Sequence, residues 1–184
     1  RGRKGMNLPN KITIFRVIMI PVFLLFYLLP GIPYGNYIAA GIFIIAALSD
    51  FFDGYLARKN NLVTNFGKFM DPLADKLLVS GALICFVEFG LIPAWIVFAI
   101  IAREFIISGF RLVASDNGVV IAASWWGKIK TNVQMIMSVM LIINFDYPIM
   151  NILEEIFIWL SLAFTIISLV DYMLKNHSVL RENK

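Results

Sequence analysis

Asp50-Phe51-Phe52-Asp53-Gly54-Tyr55-Leu56-Ala57-Arg58, then eight residues, then Gly67-Lys68-Phe69-Met70-Asp71-Pro72-Leu73-Ala74-Asp75: this stretch places four aspartates in a chain otherwise dominated by apolar residues. On insertion scales a charged residue at a bilayer centre costs roughly 2.5–3.5 kcal/mol, so four cost on the order of 10 kcal/mol unless metal ions, partners or water compensate them. A cluster that expensive marks a functional site. Around it, 60% of residues are hydrophobic and 15% charged, and the mean hydropathy of +0.81 excludes an ordinary water-soluble domain. Runs long enough to cross about 30 Å of hydrocarbon fall at 12–29, 37–57, 69–91, 93–113, 128–145 and 153–174. Helices satisfy their own backbone there, so the sequence predicts an all-α polytopic membrane protein with six transmembrane helices. The expected organisation is one catalytic domain over 6–175, an amphipathic interfacial lead-in around Asn7–Thr13, and a tail over 176–184. Residues 1–5, ahead of Met6, read as an appended remnant and are left out of the fold argument.

Charge placement predicts orientation. The connections near 30–36, 90–93 and 145–152 hold no lysine or arginine, whereas the N-terminus, the 58–68 loop, the 111–130 region and the tail hold most of them. The positive-inside rule then puts both termini in the cytoplasm, in a cell membrane (inner or plasma). The pI near 9.3 does not point to nucleic acid, because the basic residues flank spans rather than form a patch interleaved with aromatics; anionic membrane lipid is the expected neighbour. Cys85, alone in an apolar run, reads as packing and His177 as a solvated tail residue, so zinc, haem and iron–sulfur chemistry find no ligand cluster. Trp95, Trp125, Trp126 and Trp159 sit near span ends and read as an interfacial belt. Asp171 has Lys175 at i+4 and reads as half of a structural pair.

In the quoted stretch, Asp50 and Asp53 are i,i+3 near the inner end of helix 2, and Asp71 and Asp75 are i,i+4 near the start of helix 3. The connection between the helices is short, so they should be antiparallel neighbours presenting four carboxylates at matching depth. Such a cluster needs cations, and all-oxygen ligation selects hard divalent metals such as Mg²⁺, Mn²⁺ or Ca²⁺. Two ions would neutralise it, and a two-metal site is suited to displacement at phosphorus. Gly54, Ala57 and Gly67 remove bulk beside the acids. Arg103 inside helix 4, Arg111 nearer its inner end, and Lys128 and Lys130 opening helix 5 form a second, basic half suited to an anionic substrate. The structural readings of the same residues are a buried Arg103–Glu104 pair and interface-anchoring lysines.

With its eight fixed residues Asp50, Asp53, Gly54, Ala57, Arg58, Gly67, Asp71 and Asp75, the stretch resembles the signature of the CDP-alcohol phosphatidyltransferase family at every position. Asn7-Leu-Pro-Asn-Lys-Ile-Thr13, Asn61-Leu-Val-Thr-Asn65, Ala102-Arg-Glu-Phe105 and Gly127-Lys-Ile-Lys-Thr131 are similar to the bacterial phosphatidylglycerophosphate synthase branch, extending the likeness over nearly the whole chain. The resemblance implies a six-helix membrane enzyme, a homodimer, that converts CDP-diacylglycerol and sn-glycerol 3-phosphate to phosphatidylglycerophosphate and CMP with two divalent ions, Mg²⁺ or Mn²⁺. It implies metal ligation by Asp50, Asp53, Asp71 and Asp75, with Asp75 also the general base. CDP-diacylglycerol would meet Asp50, Gly54, Ala57, Arg58, Gly67 and Asp71, and the acceptor phosphate Arg103, Arg111, Lys128 and Lys130.

Two alternatives stay open on the residues. Inositol phosphate or serine could replace glycerol phosphate as acceptor, since the signature concerns the shared CDP half; the basic residues favour a phosphorylated alcohol. A divalent-cation or proton-coupled transporter also carries buried acids, but acids spread across the membrane and an inverted repeat would be expected, and the sequence has neither.

Overall fold

The computed structural model describes residues 8–59, 65–116, 118, 119, 121, 122 and 124–177, with side chains omitted at 8, 9, 50–59, 65, 66, 68 and 69. Among the described residues are six α-helices and no strand: α1 (Leu8–Leu28), α2 (Gly35–Lys59), α3 (Asn65–Glu88), α4 (Ala94–Asp116), α5 (Trp125–Ile143) and α6 (Pro148–Asn176). The all-helical class and the helix number follow the sequence expectation. The ends move. α1 begins at Leu8, so the described part of the lead-in is continuous with the first helix. The gap between the apolar runs 93–113 and 128–145 shrinks, because α4 continues to Asp116 and α5 starts at Trp125.

Local chemistry sets several of these ends. At the end of α3, Leu91 N–H donates to the Phe86 carbonyl and Gly90 N–H to that of Val87, and Gly90 has φ +70°: a Schellman motif that needs a residue tolerant of the left-handed region. The same pair of bonds recurs after α4, from Val119 to Ala114 and from Gly118 to Ser115, with Gly118 at φ +72°. Ser124 caps α5, its Oγ accepting the Gly127 N–H at 3.1 Å.

The chain divides into two compact units, Arg1–Cys85 with Ile142–Asn144, and Phe86–Leu141 with Phe145–Lys184. In the first, α1 and α2 pack antiparallel: the Phe23 and Phe43 rings lie 5.7 Å apart, while a Cβ on Gly35 would come within 3.0 Å of the Phe26 carbonyl oxygen. Ala39, Ala40 and Ala46, all buried, allow this approach. α1 and α3 run parallel, Thr13 meeting Asp71 and Leu24 lying against Gly81. Ala74, Leu78, Ala82 and Leu83 line the buried side of α3.

In the second unit α4 and α6 run parallel, with contacts in register at Trp95–Trp159, Arg103–Ser168 and Phe110–Tyr172. α5 runs opposite to α4: Lys130 in its early turns meets Glu104, while Leu141 near its end lines a groove with Leu91 and Ile96. The buried face of α6 carries Ser161, Thr165 and Ser168, small residues that let helices approach closely; the Ser168 hydroxyl is hydrogen-bonded, whereas Ser161 Oγ and Thr165 Oγ1 are buried without a hydrogen-bond partner. Cys85 is buried as expected for packing, and Lys175 Nζ pairs with Asp171 Oδ1 at 2.6 Å.

The exterior is apolar. Phe98, Leu112, Trp125 and Leu174 are each at least 70% exposed, an arrangement suited to hydrocarbon and costly in water. Among the described residues two helices pass the full length and hydropathy test for a span, Asn10–Leu28 and Pro148–Asn176, and Gly35–Ser49 is a shorter apolar segment. The others fall short because they carry the charged residues of the candidate site: Asp71 and Asp75 in α3, Arg103, Glu104 and Arg111 in α4, Lys128 and Lys130 in α5.

Candidate functional site

The acidic half begins on α3. Gly67, Asp71 and Asp75 follow one another at i,i+4 and share a face, beside the row that buries Ala74 and Leu78. Gly67 is buried, Asp71 half-buried and Asp75 exposed, so the face opens outward along the helix. Pro72 lacks the amide that would bond the carbonyl four residues back, a local break in the helix ladder between the two acids. Thr13 on α1, 1% exposed, donates its hydroxyl to Asp71 Oδ1 at 2.6 Å. That bond fixes the rotamer of the Asp71 carboxylate across 58 residues of sequence. Arg16, one turn along α1 from Thr13, is fully buried.

Asp50, Asp53, Gly54, Ala57 and Arg58 lie in the last turns of α2; their side chains, like Asn7 and residues 61–64, fall outside the described residues. Among the described residues no group of three or more potential metal ligands is gathered. The two described acids offer oxygen donors only, and Asp71 already accepts a hydroxyl that orients it. This donor chemistry fits a hard divalent cation and not a thiophilic one.

The basic half is built by α4, α5 and α6. Arg103 and Lys130, 7% and 2% exposed, converge on one oxygen: Glu104 Oε1 accepts from Arg103 Nη1 at 2.8 Å and from Lys130 Nζ at 2.6 Å. Arg103 Nε donates to Ser168 Oγ at 3.0 Å, and the Ser168 hydroxyl donates in turn to the Thr165 carbonyl oxygen at 3.0 Å. This chain of bonds leaves the Ser168 lone pairs facing the guanidinium. The third guanidinium nitrogen, Nη2, lies beside Gly127, where a Cβ would approach it to 3.3 Å.

The other two basic residues of the expected pocket lie apart from this cluster. Arg111 is exposed, its guanidinium carbon 5.8 Å from the centroid of the buried Tyr172 ring, a cation–π placement. Lys128 is exposed while Lys130 is buried; residues two apart lie on nearly opposite sides of a helix. Sequence reasoning treated Glu104 only as a partner for Arg103 and gave no role to Thr13, Gly127 or Ser168. The available signal was Glu104 itself, an acid inside an apolar helix; nothing in the sequence marked Ser168.

A family model described as CDP-alcohol phosphatidyltransferase matches residues 6–167. The chain belongs to the CDP-alcohol phosphatidyltransferase family. Among relatives of this family, a Bacillus subtilis protein named CDP-diacylglycerol–glycerol-3-phosphate 3-phosphatidyltransferase is 46% identical, over 95% of this chain and 97% of its own length. Proteins of the same name from Haemophilus influenzae and Rickettsia prowazekii are 41% and 39% identical, over 91% and 92% of this chain and 91% and 95% of their own lengths. Membership accords with the apolar exterior and assigns the chain to a membrane-protein family.

Proposed function

We propose that this chain transfers the phosphatidyl group of CDP-diacylglycerol to sn-glycerol 3-phosphate, yielding phosphatidylglycerophosphate and CMP. The observation that carries the reading is near full-length likeness, 46% identity to a protein named for that reaction, in a chain that keeps every fixed residue of the family signature. The buried Arg103–Glu104–Lys130 cluster supports a phosphorylated acceptor over serine, because guanidinium and ammonium groups recognise phosphate.

In the proposed mechanism Asp50, Asp53, Asp71 and Asp75 would hold two divalent ions, Mg²⁺ or Mn²⁺, with Asp71 oriented by Thr13. Bound there, the metal would neutralise the pyrophosphate and the departing CMP. Asp75, exposed on its helix face, takes the proton of the acceptor hydroxyl as that oxygen attacks the phosphorus bearing diacylglycerol and the bond to CMP breaks. Gly54, Ala57, Arg58 and Gly67 accommodate the CDP half. Arg103 and Lys130 hold the acceptor phosphate, while Arg111 and Lys128, which lie apart from that cluster, take no part in it. The proposed setting is a homodimer spanning the cell membrane six times, with both termini and the site facing the cytoplasm; the distribution of lysine and arginine supports that orientation.

The test is release of CMP from CDP-diacylglycerol by purified protein against a panel of acceptors. Glycerol 3-phosphate should support turnover, serine and inositol phosphate should not, and chelation should abolish release until Mg²⁺ or Mn²⁺ returns. Turnover with inositol phosphate alone would reassign the acceptor; full turnover after chelation would remove the metal.

Thr13→Val offers a finer check. It keeps the shape and deletes the donor to Asp71, and changes of this kind beside metal ligands cost about 10–100-fold in metal affinity or activity. The Mg²⁺ concentration needed for half-maximal CMP release, and direct Mn²⁺ binding, should both rise in that range. Thr13→Ser should restore them. Unchanged metal binding in the valine variant would show that the hydroxyl only packs α1 on α3.

A further inference from the structure

Glu104 has no role of its own in the reaction just described, yet two buried cations converge on it. One of its oxygens serves two buried cations, at 2.8 Å from Arg103 and 2.6 Å from Lys130. We propose that Glu104 is a positioning residue: its carboxylate holds Arg103 and Lys130 side by side and leaves the Nη2 edge of Arg103, at Gly127, as the face that takes the phosphate of the second substrate. This rests on the phosphorylated-acceptor reading above and names the residue that shapes its subsite.

Three features argue for it over a plain structural bolt. Arg103 receives only a share of a counter-ion, because the oxygen it meets also serves Lys130, and its other partner, Ser168, is neutral. A buried guanidinium in that state gains from a further anion. Its Nε and Nη1 are committed by geometry, so a phosphate is directed to Nη2. That edge borders Gly127, the third residue of α5, and the N-terminal turn of a helix favours negative charge. A side chain at 127 would press on Nη2 from 3.3 Å, so the glycine keeps the edge open.

The test separates positioning from folding by splitting the kinetic constants. Glu104→Gln keeps the shape and removes the charge that holds both cations. Its KM for glycerol 3-phosphate should rise about tenfold or more, exceeding any fall in kcat, with KM for CDP-diacylglycerol unmoved. Glu104→Asp should recover part of the loss. Gly127→Ala, whose Cβ would meet Arg103 Nη2 and Ser124 Oγ at 3.3 Å, should raise the same KM severalfold. Protection of the protein against heat by glycerol 3-phosphate alone should weaken in parallel in both variants.

An unchanged acceptor KM in folded Glu104→Gln overturns the proposal. So does an unchanged KM in Gly127→Ala if the glutamine variant fails to fold. The wild-type acceptor panel decides the parent reading separately: if another phosphorylated alcohol is the acceptor, that reading falls, and Glu104 is judged on the KM for that alcohol.

Discussion

Asp75→Asn is expected to lower CMP release about a thousandfold while leaving the protein folded and able to bind CDP-diacylglycerol. The substitution is isosteric, and the side chain is exposed on α3, so little packing is disturbed. What it removes, on the proposed mechanism, is the oxygen charge that would receive the acceptor proton and contribute to cation binding. General-base removal alone is worth about 10²–10⁴ in rate. The two roles separate in one comparison. Loss of a metal ligand shifts the Mg²⁺ requirement and is partly overcome by excess metal; loss of the base persists at saturating metal. Asp71→Asn should show mainly the first behaviour, since Thr13 holds that carboxylate in place. Near wild-type turnover by an Asp75→Asn protein that binds CDP-diacylglycerol would refute the base assignment.

The four signature aspartates stand out in the sequence because charge is costly in an apolar chain. Asp50, Asp53, Asp71 and Asp75, inside hydrophobic runs, need compensation, and their i,i+3 and i,i+4 spacings assign them to helix faces. Helix number was legible for a related reason, since each apolar run must close its own hydrogen bonds. Helix ends were not. Hydropathy reports where the chain is greasy, whereas α3 stops at Glu88 because Gly90 adopts a left-handed turn and redirects the last carbonyls. α1 starts at Leu8, ahead of the apolar run, because Asn10, Lys11 and Thr13 are compatible with helix.

Long-range pairings were the least legible. Nothing local connects Thr13 to Asp71, or Lys130 to Glu104 26 residues away. One distinction was available and unused. Lys128 and Lys130 are 200° apart around a helix of 3.6 residues per turn, so both could not face the same neighbour. The buried one is Lys130.

Arg103→Leu is the second large effect, and it appears in stability as well as catalysis. The substitution roughly keeps side-chain bulk but breaks the buried pair with Glu104 and leaves Ser168 Oγ without its donor. Removing one partner of a buried ion pair costs about 3–5 kcal/mol because the other charge stays behind. For a chain of this length that corresponds to a fall of roughly 6–20 °C in Tm. Lys130 still meets Glu104, which places the expected loss at the lower end. Arg103→Lys should recover part of the stability through its charge, yet a single ammonium cannot reproduce the two directed bonds from Nε and Nη1 or the open Nη2 edge. The lysine variant should therefore approach wild-type Tm more closely than wild-type KM for glycerol 3-phosphate. Thermal unfolding in detergent, read beside acceptor kinetics, measures both. If Arg103→Lys restored the two equally, a point charge would suffice, and the directed geometry around Arg103 would have no bearing on acceptor recognition.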